Sequence, residues 1–284
     1  MAHRRFPPST EFNHREMRRR IFGESSREVG RTLSDLGDLL HTRGDLAAAE
    51  AYLRSALAVH VNVGGDGSDD AARAQRDLGN VLRDRGALAE AESLYRRSLR
   101  VSRQSLGPVD PIVALTQSEL ALLLVETGDH EEAEELLLEN LSTYERLYPG
   151  GHPMVGTTMR NLGVLRLRQR RPAEAAEALH QALEIYRQTL SETSALIPRA
   201  VRYLAEAELA VGDADRAAAS AEEVVVRLRA MGLARHPAVA RALHTLSSAR
   251  LAQGRPAEAA ALLEEARAAR AIAAAPADGS DSDR

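Results

Sequence analysis

Cysteine and tryptophan are absent from the 284-residue sequence, and aromatic residues make up only 3% of it. The absence of cysteine excludes disulfide bonds, thiolate nucleophiles and cysteine-based zinc or iron–sulfur sites. The scarcity of aromatic rings leaves no obvious stacking platform for single-stranded nucleic acid. Lysine is also missing, so all 37 basic residues are arginine, which we attribute first to coding bias and second to function.

The composition is that of an ordinary soluble protein, with 44% hydrophobic and 27% charged residues. The net charge of −4 makes the whole chain a poor ligand for nucleic-acid phosphates. No apolar run approaches the roughly 20 residues that a membrane helix needs. The segment Met1–Pro8 has no apolar stretch behind its arginines, so it does not read as a secretory signal. We therefore expect a cytoplasmic protein that binds neither nucleic acid nor membrane.

Three columns of residues recur with a period of 42. The glycine column is Gly44, Gly86, Gly128, Gly212 and Gly254, with Arg170 in the remaining slot. The leucine column is Leu36, Leu78, Leu120, Leu162, Leu204 and Leu246, and the alanine column is Ala49, Ala91, Ala133, Ala175, Ala217 and Ala259. Three columns in one register predict six repeats without insertions.

Each period contains two helical patterns separated by a glycine turn. In the second period, the apolar residues Leu78 and Leu82 precede Gly86, and Ala91 and Tyr95 follow it, at spacings typical of one helical face. The sequence has no alternating runs of β-branched residues, so nothing in it indicates a sheet. A single hairpin of this size cannot bury its apolar face, whereas stacked hairpins can. The pattern therefore predicts an all-α protein with one elongated core.

The second period, with Leu78-Gly79, Gly86, Ala91 and Tyr95, resembles the tetratricopeptide repeat. The 42-residue period resembles the kinesin-light-chain type of that repeat, whose linker is similar to the segment 106–114 here. The resemblance implies a right-handed superhelical solenoid of six antiparallel helical hairpins. It covers about nine-tenths of the chain and is specific for fold, not for function.

The two ends differ from the repeats. We interpret residues 1–22 as an N-terminal capping helix or as the remnant of a preceding repeat. The six repeats occupy residues 23–274, and residues 275–284 form a polar, acidic segment that is predicted to be disordered.

No motif indicates an enzyme. The nine histidines are scattered without an HExxH pair, and no GxGxxG, GxxxxGK or GxSxG string occurs. The segment Gly64–Asp69 matches the GGxGxD string of calcium-binding repeats, but a single copy cannot build that site. We interpret it as an acidic loop that ends in an N-cap aspartate. No catalytic residue, metal or cofactor is predicted.

The resemblance also implies a binding groove, because the first helices of tetratricopeptide arrays line a concave surface that holds peptides. Four slots per first helix, spaced 3, 4 and 3, form one stripe, which holds eight arginines and two acidic residues over the six copies. The predicted groove residues are Arg73, Arg76, Asn80, Arg83, Ser118, Leu122, Arg160, Val164, Arg199, Arg202, Arg241 and His244.

Two functions fit these observations. The first is a non-catalytic scaffold that binds a peptide or partner protein carrying acidic residues, with Arg76, Arg160 and Arg202 acting together from one slot. The alternative reading, that arginine stems merely pack against the surface, has equal standing for some of these positions. The second function is a ligand-responsive regulator, or the sensor portion of a larger bacterial signalling protein. The sequence names neither the partner nor the oligomeric state.

Overall fold

A computed structural model describes residues 26–191, 194, 196–234 and 237–274. Helices cover 84% of these residues, and they contain no strand, so the predicted all-α class is confirmed. The interpretations of residues 1–22 and 275–284 lie outside the described residues. Across the described ranges, none of the helices combines the length and apolar character that crossing a bilayer demands.

Twelve helices follow one another in the described part of the chain, as six pairs. They are α1 (Arg27–Thr42) and α2 (Leu46–Gly64), α3 (Asp69–Asp84) and α4 (Leu88–Leu106), α5 (Pro111–Thr127) and α6 (His130–Leu147), α7 (Pro153–Arg168) and α8 (Pro172–Thr189), α9 (Leu196–Ala210) and α10 (Ala214–Ala230), and α11 (Pro237–Ala252) and α12 (Pro256–Ala274). The second helices begin at 46, 88, 130, 172, 214 and 256, so each begins 42 residues after the last. The sequence period is therefore the structural period.

One left-handed residue forms the turn inside each hairpin. The glycine column has positive φ throughout, for example 80° at Gly86 and 92° at Gly128. Arg170 adopts the same conformation with φ of 60°, and it is the one non-glycine residue in the described ranges to do so. An L-residue in this region costs roughly 1–2 kcal/mol. Arg170 is therefore a strained exception in an otherwise regular turn.

Side-chain caps define where the first helices begin. The hydroxyls of Ser26 and Ser68 accept hydrogen bonds from the amides of Val29 and Ala71. The carboxylate of Asp110 accepts from an amide in the same way at α5. The expected aspartate cap of the Gly64–Asp69 loop is wrong, because the hydroxyl of Ser68 occupies that position and Asp69 begins the helix. The cap satisfies amides that a helix start leaves without partners.

Small residues allow the two helices of a hairpin to approach closely. Gly79 faces Tyr95 and Gly163 faces Leu179, and each partner is 0% exposed. A Cβ atom on Gly163 would lie 2.6 Å from Cγ of Leu179. In each case the large residue lies 16 positions after the glycine, so the repeat pairs a small first-helix residue with a bulky second-helix residue.

The chain divides into two compact units, Met1–Thr143 and Tyr144–Arg284. In the first, α1 packs on α2, α2 on α3, α3 on α4 and α4 on α5. In the second, the same succession runs from α7 to α12. The core of each unit lies between successive helices and includes Leu82 and Tyr95 in the first and Leu183 and Tyr186 in the second.

Ion pairs on the outer surface connect neighbouring hairpins within each unit. Their members lie 36 residues apart, so each joins a second helix to the next second helix. The pairs are Arg54–Glu90, Arg96–Glu132 and Arg103–Glu139 in the first unit, and Arg187–Glu223 and Arg229–Glu265 in the second. Exposed pairs contribute roughly 0–1 kcal/mol each, so they add little to stability.

Candidate functional site

In the first unit, the predicted stripe borders a pocket of about 270 Å³ between α1 and α3. Arg73 and Arg76 come from the list of predicted groove residues. The other lining residues are Arg31, Ser34, Asp35, Asp38, His60, Asp70, Asp77 and Ile112. Arginine and aspartate thus meet in the same small space.

Carboxylates of the protein itself neutralise much of the positive charge in this pocket. Asp70 lies 2.8 Å from Nε of Arg27 and 3.8 Å from a guanidinium nitrogen of Arg31. Asp77 lies 2.8 Å from Nη2 of Arg76, and the side chains of both residues are largely buried. Arg73 is exposed and has no ion pair with any described carboxylate. The pocket is therefore of mixed charge rather than basic.

Among the groups that line this pocket, the carboxyl group of Asp38 and the hydroxyl group of Ser34 have no hydrogen-bond or ion-pair partner within the described residues. Partial desolvation, together with the nearby carboxylate of Asp77, raises the pKa of Asp38 to about 6, although the residue as a whole is exposed. The hydroxyl of Ser34 is buried and makes no hydrogen bond within the described residues. Burial lowers the pKa of His60, which packs against Gly30 at the floor of the same region. The Ser34 hydroxyl and the Asp38 carboxyl group can therefore still form hydrogen bonds in this pocket.

The remaining predicted groove residues of the first unit are held by the scaffold. Asn80 accepts a hydrogen bond of 2.7 Å from the hydroxyl of Tyr95. Arg83 donates to Glu119 of the next hairpin at 2.7 Å. Ser118 is buried, and its hydroxyl has no hydrogen-bond partner within the described residues; Leu122 is half-buried on the same helix, α5. These side chains therefore help to fix the shape of the surface, and they add little unpaired charge to it.

In the second unit, three predicted residues border one pocket of about 390 Å³. They are Arg202 of α9 with Arg241 and His244 of α11. The other lining residues are Glu206, Leu209, Thr245, Ser248 and Arg270. Arg270 belongs to α12, a second helix, and reasoning confined to the first helices missed it.

Positive charge dominates this second pocket. Arg241 and Arg270 are exposed and lack an ion pair with any carboxylate that the structure describes. Arg202 lies 3.7 Å from Glu206, and its guanidinium lies 3.7 Å from the centre of the Tyr203 ring. Three guanidinium groups therefore face one carboxylate.

Arg199, Arg160 and Val164 lie on the same faces but border neither of these two pockets. Arg199 is exposed on α9, and it has no ion pair in the described ranges. On α7, Arg160 donates to the side-chain oxygen of Asn161 at 2.9 Å, and Val164 is half-buried. The structure thus brings part of the predicted set together and leaves these three apart.

Arg76, Arg160 and Arg202, which share one slot, also share one kind of contact. Each contacts the residue that follows it, through an ion pair with Asp77, a hydrogen bond to Asn161 or a stack on the Tyr203 ring. The Arg76 and Arg202 side chains are only 15% and 22% exposed. They are therefore partly structural, and exchanging them would perturb folding.

A larger cavity of about 840 Å³ lies on the second helices α8 and α10. His180 and Arg216 border it, and both lie close to the buried carboxylate of Glu208, at 3.7 Å and 3.4 Å. Glu208 also accepts a hydrogen bond of 2.8 Å from Ser220. Burial raises the pKa of Glu208 and lowers that of His180. The polar groups here pair with one another, so we assign this cavity a structural role and not a binding role.

A family model for the MalT-like TPR region matches residues 24–271. The chain belongs to this family. The resemblance to tetratricopeptide repeats drawn from the sequence is thereby confirmed, and so is a fold suited to protein interaction. In the described residues, no group of three or more histidine, aspartate or glutamate side chains is placed to hold a metal ion.

Solved structures support the same fold for this MalT-like TPR chain. BtubC (BKLC) from P. vanneervenii has a TM-score of 0.67 at 22% identity, covering 79% of this chain and 90% of that one. A putative kinesin light chain of Podosopora anserina has a TM-score of 0.62 at 26% identity, covering 74% and 99%. A STAND protein with a tetratricopeptide repeat sensor from Pyrococcus horikoshii has a TM-score of 0.70 at 14% identity, covering 90% and 38%. No curated protein matches the chain.

Proposed function

We propose that this MalT-like TPR chain is a non-catalytic interaction module that binds an acidic peptide or an acidic segment of a partner protein. Binding uses the first-helix faces, and the second unit supplies most of the attraction. The observation that carries the proposal is the pocket around Arg202, Arg241 and His244, where side chains from successive first helices converge. A cytoplasmic location belongs to the same proposal, and fractionation of host cells tests it.

The charge distribution favours an acidic ligand. The chain as a whole carries −4, yet three guanidinium groups and one carboxylate border the second-unit pocket. A concave surface concentrates such a field, and arginine can hold a carboxylate with two parallel hydrogen bonds. Leu209 adds an apolar wall, which suits an apolar residue next to the acidic one.

The first unit contributes differently. Its pocket balances Arg31, Arg73 and Arg76 against four aspartates, so it offers matched polar contacts instead of a positive field. Arg73 is an exposed cation of that pocket and has no ion pair with a described carboxylate. We therefore expect Arg73 and Arg241 to interact with ligand, and the more buried Arg76 and Arg202 to shape the surface.

Selection from a displayed library of random peptides tests this function. The expected consensus has aspartate or glutamate next to a leucine, isoleucine or phenylalanine. Arg241→Glu should abolish binding of the selected peptide, whereas Arg100→Glu, at an exposed arginine on the second helix α4, should leave it unchanged. A basic or wholly apolar consensus, or equal losses in both variants, would contradict the proposal.

A second candidate is the sensor portion of a larger signalling protein. The observation in its favour is the match to the STAND protein of Pyrococcus horikoshii, in which 90% of this chain aligns with 38% of that one. A fold of this kind thus occurs as a part of a longer chain. Immunodetection in the native host distinguishes the two candidates, because a sensor portion would appear in a protein much longer than 284 residues.

A further inference from the structure

We infer that the pocket formed by α9, α11 and α12 is an oxyanion subsite that holds a carboxylate or phosphoryl group of the bound peptide. The inference rests on the proposed function and assigns the chemistry of one part of that surface. It adds Arg270, which lies on a second helix, to the residues that contact ligand.

The first support is the imbalance of charge inside the pocket. Arg202, Arg241 and Arg270 face a single carboxylate, that of Glu206. An anion that enters this space gains attraction from three guanidinium groups and repulsion from one carboxylate. Because salt screens charge interactions at longer distances, the charged groups nearest to the anion determine how strongly it binds.

The second support is the contrast with other arginines of the same unit. Most of them form ion pairs, namely Arg166, Arg171, Arg187, Arg202, Arg216, Arg229, Arg250, Arg255 and Arg267. Arg241 and Arg270 have no such partner among the described carboxylates, although they border the same pocket. Within the part of the chain that the structure describes, these two charges enter no ion pair, so they are available to a ligand.

The third support is the state of the neighbouring groups. The hydroxyls of Thr245 and Ser248 already donate to the backbone carbonyl oxygens of Arg241 and His244. The stack of Arg202 on the Tyr203 ring holds that guanidinium in place before a ligand arrives. Recognition therefore falls to guanidinium groups, whose planar pairs of N–H donors match two oxygens on one centre.

The first-unit pocket makes a useful contrast. Four aspartates border it, so an oxyanion there would meet repulsion as well as attraction. The oxyanion subsite is thus assigned to the second unit and not to every cluster of arginines on the first-helix faces.

Titrations followed by NMR of the arginine Nε–Hε groups test the inference with three probes. The probes are inorganic phosphate, a short peptide with two aspartates beside a leucine, and the same peptide with phosphoserine replacing one aspartate. Each probe should shift the Arg241 and Arg270 signals first and leave Arg100 unshifted. Stronger binding of the phosphoserine peptide would identify the group as phosphoryl, and stronger binding of the aspartate peptide would identify it as carboxylate.

Variants supply the control. Arg241→Gln and Arg270→Gln should each weaken binding of every probe about tenfold, in line with loss of a charge-assisted hydrogen bond. Glu206→Gln should tighten binding about threefold, because it removes the one repulsive group. Arg100→Gln should change affinity by less than about twofold.

The outcomes separate this inference from the proposed function. If the aspartate peptide binds the parent, Arg241→Gln and Arg270→Gln equally well, the subsite is wrong while the binding module stands. If phosphate shifts Arg100 as much as Arg241, the pocket has no preference and the subsite is again wrong. If phosphate binds at Arg241 and Arg270 but library selection yields no acidic peptide, the subsite stands and the proposed function fails.

Discussion

Replacing Gly163 with alanine probes the close approach of α7 and α8. The new Cβ would lie 2.6 Å from Cγ of Leu179 and 3.1 Å from each of its δ carbons. Cγ is the branch point of that side chain and cannot swing away as a flexible tip can. Leu179 is 0% exposed, so the clash must be relieved by a shift of packed atoms.

Two opposing effects determine the size of the change. Overpacking a core by a methyl group costs about 1–3 kcal/mol. Alanine is favoured over glycine inside a helix by about 1 kcal/mol. The net expectation is a loss of about 1 kcal/mol. Leu179→Ala alone should cost about 2–5 kcal/mol because it leaves a cavity. In that background Gly163→Ala should become stabilising, since the clash is gone and the helical preference remains.

Urea unfolding followed by circular dichroism measures these free energies. Gly67→Ala is the matched control, because no heavy atom lies within 4 Å of its added Cβ. Its effect should stay within about 0.5 kcal/mol, as is usual at surface positions. An increase in stability from Gly163→Ala in the parent would refute the packing argument. The same effect in both backgrounds would also refute it.

Three further changes follow from the described contacts. Arg170→Gly should raise the free energy of unfolding by about 0.5–1 kcal/mol in urea titrations, because it relieves a left-handed arginine with φ of 60°. A double-mutant cycle on Arg96 and Glu132 should give a coupling of about 0.2–1 kcal/mol that shrinks as salt rises. NMR titration should find the pKa of Asp38 near 6, and Asp77→Asn should lower it. Since a raised carboxyl pKa means that the folded state holds the proton more tightly, stability should fall as pH rises from about 4 to about 6, and Asp38→Asn should remove that fall.

The regular part of the fold follows directly from the sequence period. A fixed register of 42 residues places glycine at each hairpin turn, and the structure gives those glycines positive φ. The same register foretells a left-handed residue at Arg170, where no local signal indicates one. The pairing of Gly163 with Leu179 is also a constant spacing of 16, which the repeat makes visible.

The candidate site was accessible to sequence reasoning only in part. Arg202, Arg241 and His244 share a stripe because the repeat turns equal register into spatial proximity. Arg270 was not predicted, because its helix is the second of its hairpin. Only the three-dimensional packing places it at the pocket.

The sequence did not predict the local partners of the stripe arginines, for a different reason. Neighbours in sequence do not face each other on an ideal helix surface, so the contact between Arg76 and Asp77 leaves no periodic signal. The bond between Arg83 and Glu119 depends on the offset of 36 between successive hairpins, which is a packing quantity and not a sequence period. Charge counted along the sequence therefore overstated the free charge of the first unit.

Photocrosslinking with the library-selected acidic peptide tests the central claim most directly. The peptide carries benzoylphenylalanine in place of its apolar residue, and mass spectrometry locates the adducts. The account predicts adducts on the first helices, concentrated on α9 and α11 near Leu209 and Ser248, and their loss in Arg241→Glu. Adducts on the second helices α8 and α10, or adducts that persist unchanged in Arg241→Glu, would contradict it.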